Sequence, residues 1–165
     1  MPAVADSSPL IYLAALSDFA LLRELFGSVL ITPAVYREVV EQGQGFPVKK
    51  EIEAALGAWL TVRPVEDQAR AEQISMEERL EAGECEAVVL AQECRAVQLL
   101  MDDRRAVRYA RSVGIRVTRT PVIYAEAKLR GWIPSVREKL EAMRHTGFRL
   151  KEGDYRLILE RVGEL

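Results

Sequence analysis

Asp6, Glu38, Glu84 and the adjacent pair Asp102-Asp103 are the acidic positions whose type and spacing suit chemistry. Asp6 ends the apolar run Ala3-Val4-Ala5, and Glu38 lies in the helix expected after Val29-Leu30-Ile31. Glu84 opens a central helix, and Asp102-Asp103 close the apolar run Ala96–Met101 that follows it. In a parallel α/β sheet, strand ends and the helix starts beyond them meet at one edge, where ligands bind at the reversal of strand order. Carboxylates a few ångströms apart raise one another's pKa, and a divalent cation is the usual remedy. Hard oxygen donors with no histidine nearby favour Mg²⁺ or Mn²⁺ over zinc. Such a cluster suits phosphodiester hydrolysis, in which the metal activates water and stabilises charge on the phosphate and the leaving oxygen.

The elements that must hold these acids are legible as alternating strands and helices. Ser8-Pro9, Thr32-Pro33 and Thr120-Pro121 each pair a capping hydroxyl with a residue pre-set for the first helical turn, so helices are expected from those points. Gly27, Gly114 and Gly131 are expected helix stops. Strands are expected at Ala3–Ala5, Val29–Ile31, around Leu60–Val62, at Ala96–Met101 and at Ile115–Val117. Further helices are expected over about Lys49–Leu56, over Arg104–Val113, and in two C-terminal stretches around Val136–His145 and Tyr155–Val162, while the charged segment Glu66–Glu81 reads as helical or partly mobile. In the central helix, about 100° of turn per residue places Ala87, Val88, Leu90, Ala91 and Cys94 on the side of Glu84 and turns Glu86 and Glu93 away. Glu84 is thus an acid on an apolar face, and Glu86 is expected in solvent. The Gly43-Gln44-Gly45-Phe46-Pro47 stretch reads as a loop that follows a helix, a poor setting for a phosphate cradle. The pattern predicts an α/β fold, a three-layer α/β/α sandwich with a central parallel sheet.

A chain of 165 residues with 49% hydrophobic content suits one domain with one core. Residues 1–165 are expected to form a single domain, with the helices from about 134 as an appendage packed on it. Net charge of −2 and a pI near 5.6 mean that nucleic-acid affinity must come from a local basic patch. Cys85 and Cys94 fall on opposite sides of their helix and are expected to be reduced thiols. No stretch approaches the roughly 18 apolar residues of a membrane span, and no signal peptide is evident, so a cytoplasmic protein without a membrane partner is expected.

The ordered motifs Asp6-Ser7-Ser8-Pro9-Leu10, Ile31-Thr32-Pro33 through Val40, Gly83-Glu84-Cys85-Glu86-Ala87 with Leu90-Ala91, and Leu99–Arg104 resemble those of the PIN-domain family. Gly114-Ile115-Arg116-Val117, Ala127-Lys128 with Gly131, and Gly147-Phe148-Arg149-Leu150 extend the match to a bacterial and archaeal branch of it. The resemblance implies a metal-dependent ribonuclease fold acting on single-stranded or structured RNA, with one or two Mg²⁺ or Mn²⁺ ions. It also implies kinship with VapC-like toxins, many of which are held inactive by a small antitoxin protein and many of which form homodimers. Asp6, Glu38 and Glu84 match the first three acids. Family members commonly place Thr or Ser two residues before the fourth; counting back from Asp103 gives Met101, which leaves Asp102 and Asp103 both eligible. Arg119-Thr120 stands where Gly-Thr is expected.

On this reading Asp6, Glu84 and Asp103 hold the principal metal and Glu38 completes the site or orients the water, with Asp102 a further candidate ligand. Ser7, Arg104, Arg108 and Arg111 are the expected RNA contacts; the three arginines share one helical side at i, i+4 and i+7. Blander readings stand beside these. Asp6 and the Asp102-Asp103 pair suit helix caps, Glu84 suits the positive end of a helix dipole, and the arginines suit a solvated stripe. Lone His145 and the two tryptophans, Trp59 and Trp132, read as structural. The competing functions are a PIN-like RNA- or protein-binding module with weak or no catalysis, and a receiver-like phosphoacceptor domain. The latter fits less well because Asp6 stands alone at its strand end.

Overall fold

The computed structural model describes residues 1–42 and 46–165, so the expected loop residues Gly43–Gly45 lie outside the described residues. Phe46 and Pro47, expected in the same loop, open a helix. Five short strands form one parallel sheet: β1 (Ala3–Ala5), β2 (Val29–Ile31), β3 (Leu60–Val62), β4 (Leu99–Leu100) and β5 (Val117–Thr118), in the order β3-β2-β1-β4-β5. Chain order reverses between β1 and β4, whose register pairs Val4 with Leu99 and Ala5 with Leu100. Side chains alternate across this sheet. Ala3, Ala5, Val29, Ile31 and Leu100 enter one apolar core, whereas Val4, Leu30, Leu99 and Met101 enter the other.

Among the described residues, ten α-helices cover the two faces. The first core is closed by α1 (Ser7–Ala15), α2 (Ala20–Phe26), α4 (Phe46–Ala55), α8 (Thr120–Leu129), α9 (Val136–His145) and α10 (Glu152–Arg161). The second is closed by α5 (Gln68–Glu78), α6 (Ala82–Glu93) and α7 (Arg104–Ser112). The short α3 (Pro33–Tyr36) runs into a single π-helical turn, Arg37–Glu41. The expected three-layer sandwich is therefore the observed fold. No helix among the described residues is long and apolar enough to cross a membrane.

Two strands and two caps differ from expectation for local reasons. At the end of α6, Ala96 N–H donates back to Ala91 O (3.0 Å) while Arg95 adopts φ +49°, so Ala96 belongs to the helix exit and β4 begins only at Leu99. Ile115 likewise donates to Ala110 O (3.0 Å) after Gly114 at φ +85°, which shifts β5 to Val117–Thr118. The expected caps Ser8 and Thr120 lie inside their helices, and Asp6 and Arg119 take the capping positions instead. Thr32 does cap α3, accepting the Val35 N–H at 3.3 Å.

The C-terminal helices share the first core through Leu140, Met143, Phe148, Tyr155 and Leu159. Glu164 ties the chain end to the start of α9: it accepts the Val136 N–H at 2.6 Å, the Arg137 N–H at 3.1 Å and the Ser135 hydroxyl at 3.0 Å. Glu164→Ala strips these donors of their acceptor and should cost about 1–3 kcal/mol. Thermal denaturation should register roughly 2–4 °C for each kcal/mol lost, and an unchanged midpoint would contradict this anchoring role.

Candidate active site

Asp6 and Asp102 are brought together by the backbone. The parallel ladder extends one residue beyond β1, where Asp6 N–H donates to Leu100 O (2.9 Å), and beyond β4, where Met101 N–H donates to Thr118 O (3.1 Å). Both acids therefore leave the sheet side by side at the switch point, and both are buried, at 6% and 7% exposure. Asp6 caps α1 in position but makes no side-chain capping bond.

Asp102 and Asp103 are separated by what holds them. Asp102 Oδ1 accepts the Thr120 N–H (2.7 Å), and its Oδ2 accepts the hydroxyls of Thr120 (2.6 Å) and Ser8 (2.7 Å). Three donors leave it about one free acceptor direction of roughly four. Asp103 is exposed and accepts the Ala106 N–H (3.0 Å) as the cap of α7, and its carboxyl also meets that of Glu84 within hydrogen-bonding reach. Met101, at the position of the missing hydroxyl, points into the second core.

Glu38 reaches the cluster from the π-helical turn, closed by Gln42 N–H donating to Arg37 O at 2.8 Å. Such single turns re-aim side chains and are frequent at functional sites. The Ser7 hydroxyl donates to Glu38 Oε2 at 2.6 Å. Ser7, an expected RNA contact, is buried and has committed its hydroxyl here. Glu84 is the third residue of α6 rather than its first, and Oε1 accepts the Glu81 N–H at 3.0 Å. Gly83 sits against the acids: a Cβ there would lie at ordinary contact distance, 3.5 Å from Glu38 Oε2 and 3.9 Å from Asp6 Oδ1. The start of α6 thus lies against both carboxylates.

Glu86 corrects the periodicity argument. It is buried at 6% exposure, because α6 is covered on nearly every side and α3 packs against it. Burial pushes its carboxyl up, offset by the Arg37 charge and the Ala34 N–H. It braces the segment that carries Glu38.

The arginines divide. Arg104 lies beside the acids, 3.4 Å from Asp154, and lines a cavity of about 470 Å³ with Asp102, Asp103, Arg105, Arg119 and Arg149. Arg108 lines a different cleft with Glu78 and Tyr109, and Arg111 turns back toward Val117 O (3.5 Å). The expected stripe is therefore not one continuous track to the acids. Another cavity, of about 500 Å³, opens at the amino ends of β4 and β5, away from them. Trp59 packs against Phe19 as expected, while Trp132 is partly exposed beneath Arg130. Both cysteines are free.

Sequence reasoning assigned Ser8 and Thr120 to helix caps and missed that their hydroxyls fix Asp102. The usable signal was a hydroxyl residue immediately beyond each strand end that faces the acids.

The cluster has no ion-paired counter-charge among the described residues, and only the Arg119 charge bears on one member, Asp102. No Lys or Arg among the described residues forms an ion pair with Asp6, Glu38, Glu84, Asp102 or Asp103. Burial pushes Asp6 up to about 8; the Ser7 N–H opposes this, and the charges of Glu84, Glu38 and Asp102 add to it. Glu84 is pushed to about 7 by burial, against the Glu81 N–H, with Asp103 adding repulsion. Burial also raises Asp102, despite its Thr120 and Ser8 donors and the Arg119 charge. Among the described residues no group of three or more acids, histidines or cysteines is already gathered around one point as a metal nest. The donor set nevertheless fits a hard divalent ion: all oxygen, anionic when deprotonated, and lacking a protein cation.

The raised values set a pH dependence for the metal-free protein. Between the unfolded carboxylate range near 4 and the folded values of about 7 and 8, the folded chain binds more protons than the unfolded one. Stability is then fully present at low pH and is lost as pH rises through 7 to 8. Thermal midpoints measured in chelator should fall across that window, and Asp6→Asn should flatten the decline; a midpoint that climbs from pH 5 to 8 contradicts the burial of protonated acids.

The PIN-domain family model matches residues 2–164. No curated protein matches the sequence. Among solved structures, the crystal structure of PAE2754 from Pyrobaculum aerophilum is similar in fold, with a TM-score of 0.55 and 15% identity over 74% of this chain and 92% of that one. At that identity the likeness bears on fold alone. With its parallel sheet, its acids at the switch point and a family match over nearly its whole length, the chain belongs to the PIN-domain family.

Proposed function

We propose that the protein is a Mg²⁺- or Mn²⁺-dependent endoribonuclease that hydrolyses RNA phosphodiester bonds. The observation that carries this reading is the set of mutually repelling carboxylates across the β1/β4 switch point, with Asp6 and Asp102 buried and none of them in an ion pair among the described residues. PIN domains are generally nucleases and typically use divalent metals, which supports it.

Asp6, Glu84 and Asp103 would hold the ion. Asp103 is exposed, its carboxyl meets that of Glu84, and the Glu84 charge in turn bears on Asp6. A bound ion supplies charge neutralisation and a more acidic water. Asp102, held by three donors from Thr120 and Ser8, locks the loops after β4 and β5 and keeps the ligands in register. Ser7 fixes Glu38 so that its carboxylate orients the attacking water and draws off its proton.

Asp6→Asn should abolish metal-stimulated RNA cleavage while circular dichroism stays native; equal cleavage by both proteins would sink the proposal. The two neighbouring aspartates should separate. Asp103→Asn should weaken Mn²⁺ binding by more than roughly tenfold in calorimetry with little change in stability. Asp102→Asn should chiefly lower the thermal midpoint, since its amide would face the Thr120 and Ser8 hydroxyls; the reverse pattern would exchange their roles.

The second reading, a PIN-like binding module, draws on the departure at Met101, which places no hydroxyl at the site. It predicts Mn²⁺ binding without turnover. A toxin role, held in check by a small antitoxin, and a homodimeric state are further parts of the proposal supported by the family resemblance. A short neighbouring reading frame encoding a protein with a DNA-binding end, co-purifying with this chain and suppressing its cleavage, is the result expected for the toxin role.

A further inference from the structure

Arg119 is where this chain departs from its family's pattern, and its surroundings are built rather than incidental. It ends the β5 edge, and its side chain is only 18% exposed. The guanidinium lies over the Phe148 ring at 5.8 Å from the centroid, and Phe148 is itself set edge-on against Tyr12 at 5.0 Å. Stacking therefore fixes the plane of the fork. Its Nε is buried and has no hydrogen-bond partner, the one such side-chain atom found among the described residues. Its NH1 has only a loose partner, Asp154 Oδ2 at 3.8 Å, and the same oxygen lies 3.4 Å from Arg104 NH2.

The guanidinium borders the cavity of about 470 Å³ that also takes in Asp102, Arg104, Arg105 and Arg149. A chain of net charge −2 thus gathers Arg104, Arg119 and Arg149 on a wall shared with Asp102 and Asp103, while Arg105 turns its guanidinium away to donate to Glu78 O (2.9 Å). Arginine's planar fork suits the paired oxygens of a phosphodiester, and a fork already held by packing loses little freedom on binding one. Asp154, at 39% side-chain exposure on α10, is the displaceable member.

We propose that this cavity seats a backbone phosphate of single-stranded RNA adjacent to the acidic site, with Arg119 as its principal ligand and Asp154 as a resting counter-ion that the phosphate displaces. The identity of the polymer rests on the ribonuclease reading; the phosphate seat does not. Arg119 is then a positioning residue, which holds the strand so that the next phosphodiester faces Asp6 and Glu84. Substrate entry exchanges one oxyanion for another at the same guanidinium pair, so no charge is stranded when Asp154 swings away.

The test is binding of a fluorescein-labelled oligouridylate to the full chain in chelator, read by anisotropy over a salt series, with cleavage measured separately in Mn²⁺. Arg119→Gln should weaken binding about 10- to 100-fold and lower the slope of log affinity against log salt by about one. Arg119→Lys should recover part of the affinity. Asp154→Asn, at an exposed position that leaves the fold intact, should tighten binding roughly two- to fivefold. In the cleavage assay Arg119→Gln should raise KM more than it lowers kcat. Unchanged affinity in both Arg119→Gln and Asp154→Asn overturns the seat even if the protein cleaves RNA. The expected affinity changes in a protein that never cleaves support the seat and overturn the ribonuclease reading alone.

Discussion

The repulsion among carboxylates at the β1/β4 switch point is the constraint on which the rest of this structure depends. Asp6 is buried against the charges of Glu84, Glu38 and Asp102, and Glu84 against that of Asp103. Burial is the larger cause and repulsion adds to it: holding these carboxyls ionised together away from water strains a marginally stable domain unless protons or cations intervene. With no ion pair to these acids among the described residues, the raised Asp6 and Glu84 carboxyls favour protons in that role in the metal-free chain. The fold keeps this arrangement because the opposing terms lie elsewhere: two apolar cores on the faces of the sheet, and hydroxyls and amides aimed at the acids that must not move.

Short strands make the site compact. With two or three residues per strand, each helix begins almost at the sheet edge, so Ser7, Ser8, Thr120 and the start of α6 all reach the acids within one turn. Gly83 brings the α6 backbone to contact distance of Glu38 and Asp6, and the π-helical turn re-aims Glu38 toward the same point. The C-terminal segment adds what the sheet alone lacks. Phe148 and Asp154, from beyond α9, reach back to Arg119 and give the acidic site a basic wall.

Much of this was legible in the sequence, and the exceptions share causes. β1, β2 and β3 fall where their apolar runs stand, because each is bounded by a cap or a glycine. β4 and β5 are shorter than their runs because the exits of α6 and α7 consume the first residues through backbone bonds from Ala96 and Ile115. The acids were legible as types at strand ends, yet Asp102 and Asp103 differ only in tertiary partners that lie 18 and 94 residues away along the chain. Glu86 was misplaced because facing arguments assume one solvated side, and α6 has almost none. Ser8 and Thr120 were read as caps on the premise that proline takes the first helical position. Pro9 and Pro121 stand further in, which frees those hydroxyls for Asp102.

The central claim is that protons on Asp6 and Glu84 give way to a divalent ion. Calorimetric titration of the chelator-treated protein with Mn²⁺ near pH 6.5, repeated in buffers of different ionisation enthalpy, counts the protons displaced per ion. The account predicts release of about one to two protons per ion, falling toward zero above pH 8.5 and reduced in Asp6→Asn. Binding with no proton release at pH 6.5, or no binding at any pH, would contradict it.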